Sequence, residues 1–175
     1  AWARGEIDAE DSAGAWIVRA HYYDSSSTYI GYQDAASGGA GTVSTTWAQK
    51  GGRITTPSNA ATVRIYLYNY MNSGWVAYDD VSLIKVGTST NLVVNPGFES
   101  SGNWSEYQQS SYPGTSFLRN TWGTGGPRSG TYGYVISNHA YGSLLSDYTA
   151  ASASTTYNLS AWLRGEIDAE GSEYG

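Results

Sequence analysis

Short apolar runs set between glycine and polar clusters predict an all-β protein, a jelly-roll β-sandwich of two antiparallel sheets. Three observations carry that expectation. Apolar and β-branched residues come in runs of four to eight, separated by Gly, Ser, Asn and Asp. Tyr numbers 16 and Trp 7 against 2 Phe, and Gly numbers 22. No long Leu/Ala/Glu/Lys stretch offers a helix. At 175 residues the chain can bury one sizeable core and is not clearly long enough for two.

Taken in chain order, strands are expected at 15–23 (AWIVRAHYY), 28–33 (TYIGYQ), 43–50 (VSTTWAQK), 61–70 (ATVRIYLYNY), 75–84 (WVAYDDVSLI), 91–94 (NLVV), 132–137 (YGYVIS), 143–147 (SLLSD) and 156–164 (TYNLSAWLR). Alternation is clearest at 63–70. There Val63, Ile65 and Leu67 take one face, and Arg64, Tyr66, Tyr68 and Tyr70 the other. In the first strand Trp16, Val18, Ala20 and Tyr22 are assigned to the core, leaving Arg19, His21 and Tyr23 outward. Gly-rich turns are expected at 37–41, 86–90 and 123–130.

A net charge of −6 with no basic stripe argues against nucleic acid as a partner. Cys is absent, so any staple beyond packing must be a metal. No run approaches the ~20 apolar residues of a membrane-spanning helix. Nor is catalysis expected. Glycoside hydrolysis needs two carboxylates flanking a cleft, and Glu6 and Glu166 are two copies of one position. GxSxG is missing, and GTGGPRSG lacks the Lys-Ser/Thr ending of a phosphate loop. His21 and His139 have no partner at metal-ligand spacing. Sequons occur at Asn103 and Asn158.

The chain carries one segment twice. AWARGEIDAE at 1–10 and AWLRGEIDAE at 161–170 agree at nine of ten positions. Exchanging the two parts of the chain near residue 88 gives one continuous reading from NLVVNPGFES to WVAYDDVSL. In that order the motifs NPGFES (95–100), SGTYGYVIS (129–137), YNLSAWLR (157–164), TTWAQKGGRITTP (45–57) and YDDVSL (78–83) resemble the family 4/9/22-type carbohydrate-binding modules. These are β-jelly-rolls appended to xylanases, glucanases and large surface proteins. On this reading residues 1–88 are the C-terminal half of a module, and 89–175 the N-terminal half of the next one or of the same one permuted. The mid-module start suggests a piece of a tandem array or a processed chain. Neither half can bury a core alone. Either the halves close on each other within one chain, or each completes a neighbour. The second arrangement would build a filament. A redundant strand favours assembly.

The resemblance implies a structural calcium held by Glu99, the Gly97 carbonyl, a carbonyl within Ser129, Gly130 or Thr131, and Asp79 or Asp80. Strand alternation should allow only one of those two aspartates to face the ion. It also implies a glycan laid across the concave sheet, with Tyr141 as the platform and contacts from His139, Arg19, His21, Tyr23, Arg64, Tyr66 and Tyr68. Trp47, Trp104, Tyr157 and Trp162 are expected to pack the sandwich. The function expected is a non-catalytic module serving as a building block of an extracellular filament or surface array, with glycan binding retained. The alternative is a free-standing module binding a β-glycan.

Overall fold

The computed structural model describes residues 15–39, 42–70, 74–108, 115–121, 126–137 and 142–166. Among these described residues eleven strands form two antiparallel sheets: β1 (Ala15–Tyr23), β2 (Tyr29–Gly39), β3 (Ala48–Thr55), β4 (Thr62–Asn69), β5 (Trp75–Lys85), β6 (Trp104–Gln108), β7 (Ser116–Asn120), β8 (Gly133–Ser137), β9 (Gly142–Ser146), β10 (Thr149–Ala150) and β11 (Thr156–Glu166). One sheet runs β2-β1-β4-β9-β6, with β10 also on β4; the other runs β3-β11-β5-β8-β7. The all-β sandwich is thus as expected, and neither sheet closes into a barrel.

Alternation builds the core. Val18, Ala20 and Tyr22 of β1 and Val63, Ile65 and Leu67 of β4 point inward, against Tyr78, Val81 and Leu83 of β5 and Tyr157, Leu159 and Leu163 of β11. Most of these are fully buried, and each such side chain contributes about 1.5–3 kcal/mol by leaving water. Both sheets combine strands from before and after residue 88, so one continuous core is filled from both portions of the chain. The hydroxyl of Tyr78, deep in that core, donates to the Tyr68 carbonyl at 2.6 Å.

Glycine moved several strand boundaries. β2 continues to Gly39, through part of the expected turn, because Gly38 pairs with Trp16 and leaves room for its indole. A Cβ on Gly38 would lie 2.8 Å from that ring. β3 begins at Ala48 rather than 43 and runs through Gly51 and Gly52. Those two are close-approach glycines: a Cβ on Gly51 would collide with the Leu159 carbonyl, and one on Gly52 would meet the Ala35 carbonyl at 2.5 Å.

The strand expected at 91–94 does not form; only Asn91 bridges, to Ile84. Its side chain takes over the ladder, accepting from the N–H groups of Leu83 and Val93 and donating to the Val81 carbonyl. Short strands at 104–108, 116–120 and 149–150 were not expected, their runs being too short and too polar to stand out. Trp104 packs on Phe98 at the edge of the core and Tyr157 lies within it. Trp47 and Trp162 do not join the core. They lie under the guanidinium groups of Arg164 and Arg128, at 5.0 and 4.1 Å.

Candidate functional site

The outward face of the β2-β1-β4 sheet carries an aromatic layer. Register sets Arg19 opposite Tyr66, His21 opposite Arg64, and Ile17 opposite Tyr68. Because side chains lean along the strands, contacts form diagonally. The His21 ring stacks on Tyr66 at 3.9 Å, Tyr66 on Tyr68 at 5.6 Å, and Tyr68 on Tyr70 at 4.8 Å, all within about 21° of parallel. Tyr68 is sealed by its neighbours to 8% exposure, and burial pushes its phenol well above the ordinary tyrosine range. Tyr23 is equally buried and its phenol is raised for the same reason, aided by its contact with the Tyr66 hydroxyl at 3.3 Å. Both remain neutral hydroxyls.

The exposed rings are others. Tyr29, Tyr32 and Tyr148 are 37%, 42% and 52% exposed. Tyr32 lies 5.9 Å from His21, with the Arg19 guanidinium 3.9 Å over its ring; Tyr148 meets Tyr23 edge-on at 4.9 Å. Simple alternation sets Tyr29 and Tyr32 on opposite faces, which is why the sequence did not mark them as a pair. Gly31, at φ +138°, and a register shift between Tyr22 and Tyr23 bring both to His21. Tyr148 comes from the link between β9 and β10, where no periodicity could have placed it.

Two arginines are fixed in this face. Arg19 grips Asp34 with two hydrogen bonds, at 2.5 and 3.1 Å. Burial disfavours its charge, but Asp34 outweighs that and holds the guanidinium above its ordinary range. Arg64 donates to the Ser146 carbonyl at 2.6 Å and to Ser105 Oγ at 2.8 Å. Arg19, His21, Tyr23, Arg64, Tyr66 and Tyr68 are thus brought together as the sequence indicated. Tyr141 and His139 lie outside the described residues.

The residues of the implied calcium site also meet, with one correction. Asp79 and Asp80 are not separated onto opposite faces. A register shift between Ser160 and Trp162 and the positive φ of Asp80 (44°) form a bulge in β5, and both carboxylates turn toward Gly97. From the place a Gly97 Cβ would take, Asp79 Oδ1 and Asp80 Oδ1 are 3.5 and 3.6 Å away. Burial pushes the Asp79 carboxyl up to about 6, with Asp80 adding like-charge repulsion, against N–H donation from Ser129, Asp80 and Arg128. Asp80 accepts from Ser129 Oγ and pairs with Arg128 at 2.6 Å.

Glu99 turns aside, accepting from the N–H groups of Thr131 and Tyr132. Gly130 makes room for it, since a Cβ there would collide with Glu99 Oε1. Arg119 caps the same turn by donating to the carbonyls of Phe98 and Glu99. The donors are all oxygen, as calcium requires. Among the described residues, however, no three carboxylate or imidazole side chains converge as a metal set. An ion here would draw on Asp79 and Asp80 and take its further oxygens from Ser129 and backbone carbonyls.

Comparison with protein-family models, with curated proteins and with solved structures finds no match to this chain.

Proposed function

We propose that this chain is a non-catalytic carbohydrate-binding module that holds a polysaccharide, a β-glycan or a similar chain, on the outward face of the β2-β1-β4 sheet, outside the cell. The observation that carries the reading is the company kept by the exposed rings. Tyr29, Tyr32 and Tyr148 surround a pre-formed stack of tyrosine rings, flanked by two immobilised arginines. Sugars offer apolar C–H faces and rings of hydroxyls. Aromatic faces cover the first, while phenol, imidazole and guanidinium groups hydrogen-bond the second. Fixing the arginines and the stack in advance limits the ordering cost of binding. The resemblance of the NPGFES, YNLSAWLR and YDDVSL motifs to carbohydrate-binding modules supports the same reading.

Affinity electrophoresis and titration calorimetry against a panel of soluble glucans, xylans, mannans and pectins test it. At least one polysaccharide should retard the protein, and the double substitution Tyr32→Ala/Tyr148→Ala should abolish the retardation. Migration unaffected by every polysaccharide would sink the proposal.

A structural calcium belongs to the same reading. Asp79 and Asp80 would hold it with Ser129 Oγ and the carbonyl of Gly97, Arg128 giving up its pairing with Asp80. The ion would supply positive charge to the buried Asp79 and its half-buried neighbour Asp80, and tie the 95–100 turn to β5. Its test is thermal unfolding in calcium and in chelator. Calcium should raise the Tm of the wild type and leave Asp79→Asn unmoved; equal Tm values for the wild type in both conditions would remove calcium from the account.

A further inference from the structure

The second half of β11 occupies a slot between β3 and β5, and the chain contains a second sequence built for that slot. Residues 161–163 pair with Lys50, Gln49 and Ala48 on one side, and residues 162–166 with Asp79 through Trp75 on the other. Each position makes a specific demand. Ala161 is fully buried and Leu163 is in the core. The Trp162 ring lies under Arg128, and Arg164 lies between Trp47 and Trp75, at 5.0 and 5.7 Å. At Gly165 a Cβ would collide with the Trp75 carbonyl, so no other residue fits without moving backbone. Residues 1–6, AWARGE, lie outside the described residues and repeat 161–166, AWLRGE, at every position but one. They supply the small residue, the Trp, the Arg and the obligatory glycine in the same register, and differ only in Ala3 for Leu163.

The register of β11 on β5 breaks between Ser160 and Trp162. That break separates residues 156–160 from residues 162–166 in their pairing with β5, so the second stretch can exchange while the first stays paired.

We propose that residues 1–6 of one molecule are a donor strand for this slot in a second copy of the chain, displacing residues 161–166 there. The partner follows from the duplication: among the described residues one slot takes this sequence and residues 161–166 fill it, so residues 1–6 are a second donor of the same sequence. Leu163 gives the resident strand the advantage in packing, so the closed monomer is the resting state and exchange is the minor one. A displaced resident strand carries the leucine and is the better donor for the next molecule. The contact is head to tail, and such contacts build a ring where the rotation closes and an open filament where it does not.

The absence of cysteine makes the test direct. Ala48 faces Leu163 across β3, so a seated donor would bring Ala3 opposite Ala48. Facing residues on antiparallel strands have Cβ atoms about 4.5–5.5 Å apart, within reach of a disulfide after a small shift. Full-length Ala3→Cys and full-length Ala48→Cys are mixed and oxidised, and the peptide pair disulfide-linked through positions 3 and 48 is sought by mass spectrometry. The expected result is that linkage between molecules. It should be suppressed by excess peptide of sequence AWLRGEIDAE, and raised about tenfold or more when Leu163→Ala is added to the Ala48→Cys partner. No linkage between positions 3 and 48 overturns the proposal. So does linkage indifferent to the peptide, which is random collision. Linkage found only inside an Ala3→Cys/Ala48→Cys double variant overturns the second copy as the source. None of these results depends on whether a polysaccharide binds.

Discussion

The imidazole of His21 lies flat on the ring of Tyr66, with centroids 3.9 Å apart and planes 17° from parallel. The two are not register partners: His21 faces Arg64, and Tyr66 faces Arg19. Their contact is the diagonal that joins β1 to the tyrosine stack of β4. It turns separate side chains into one rigid layer, from Tyr70 to His21.

That layer separates support from contact. His21→Ala should lower stability by about 0.5–1.5 kcal/mol, the worth of an aromatic pair, with a modest loss of polysaccharide affinity. Tyr148→Ala removes an exposed ring from the rim and should change stability by no more than about 0.5 kcal/mol. Its polysaccharide affinity should fall about tenfold. Calorimetric binding and thermal unfolding of both variants check the split; an equal pattern in the two would contradict it.

Tyr78 is the simplest probe of the core. Its hydroxyl donates to the Tyr68 carbonyl at 2.6 Å and is fully buried. Tyr78→Phe keeps the ring and deletes that bond, so unfolding free energy should drop by about 1 kcal/mol. For a domain of this size that corresponds to a fall in Tm of roughly 2–4 °C.

Gly51 tests the close approach of β3 to β11. A Cβ there would collide with the Leu159 carbonyl and lie 2.6 Å from Ser160 Cα, neither of which can rotate away. Gly51→Ala should destabilise by about 3 kcal/mol, seen as a lower midpoint in urea. An unchanged midpoint would mean that the strands part without cost.

Asp79 gives a signed pH dependence in metal-free protein. Burial raises its carboxyl to about 6, above the ordinary unfolded value of about 3.9. The folded state therefore favours the protonated acid. Its contribution to stability is fully present below about pH 3.9 and is lost as pH rises through about 6. Between pH 4 and pH 7 this group alone should withdraw roughly 2–3 kcal/mol, at about 1.4 kcal/mol per pK unit. Denaturant unfolding at several pH values should show that slope in the wild type and its loss in Asp79→Asn. A slope unchanged by the substitution would place the cause elsewhere.

By itself the sequence determined the class of the fold, most of the strands and the sidedness of β1 and β4. Those depend on a period of two and on glycine-broken runs, which are properties of neighbouring residues. It also brought six of the eight candidate ligand residues to one surface, because alternation sends Arg19, His21, Tyr23, Arg64, Tyr66 and Tyr68 outward together. Only the tertiary structure decided where that regularity breaks. The β5 bulge turns Asp79 and Asp80 the same way, and Gly31 does so for Tyr29 and Tyr32. Gly38, which in sequence reads as a turn residue, and Gly51 and Gly52, which lie beyond the expected strand at 43–50, serve as contacts with Trp16, Leu159 and Ala35. The seat of residues 161–166 was settled in the same way. Local preferences do not choose a partner; contact with β3 and β5, tens of residues distant, gives residues 161–166 their place.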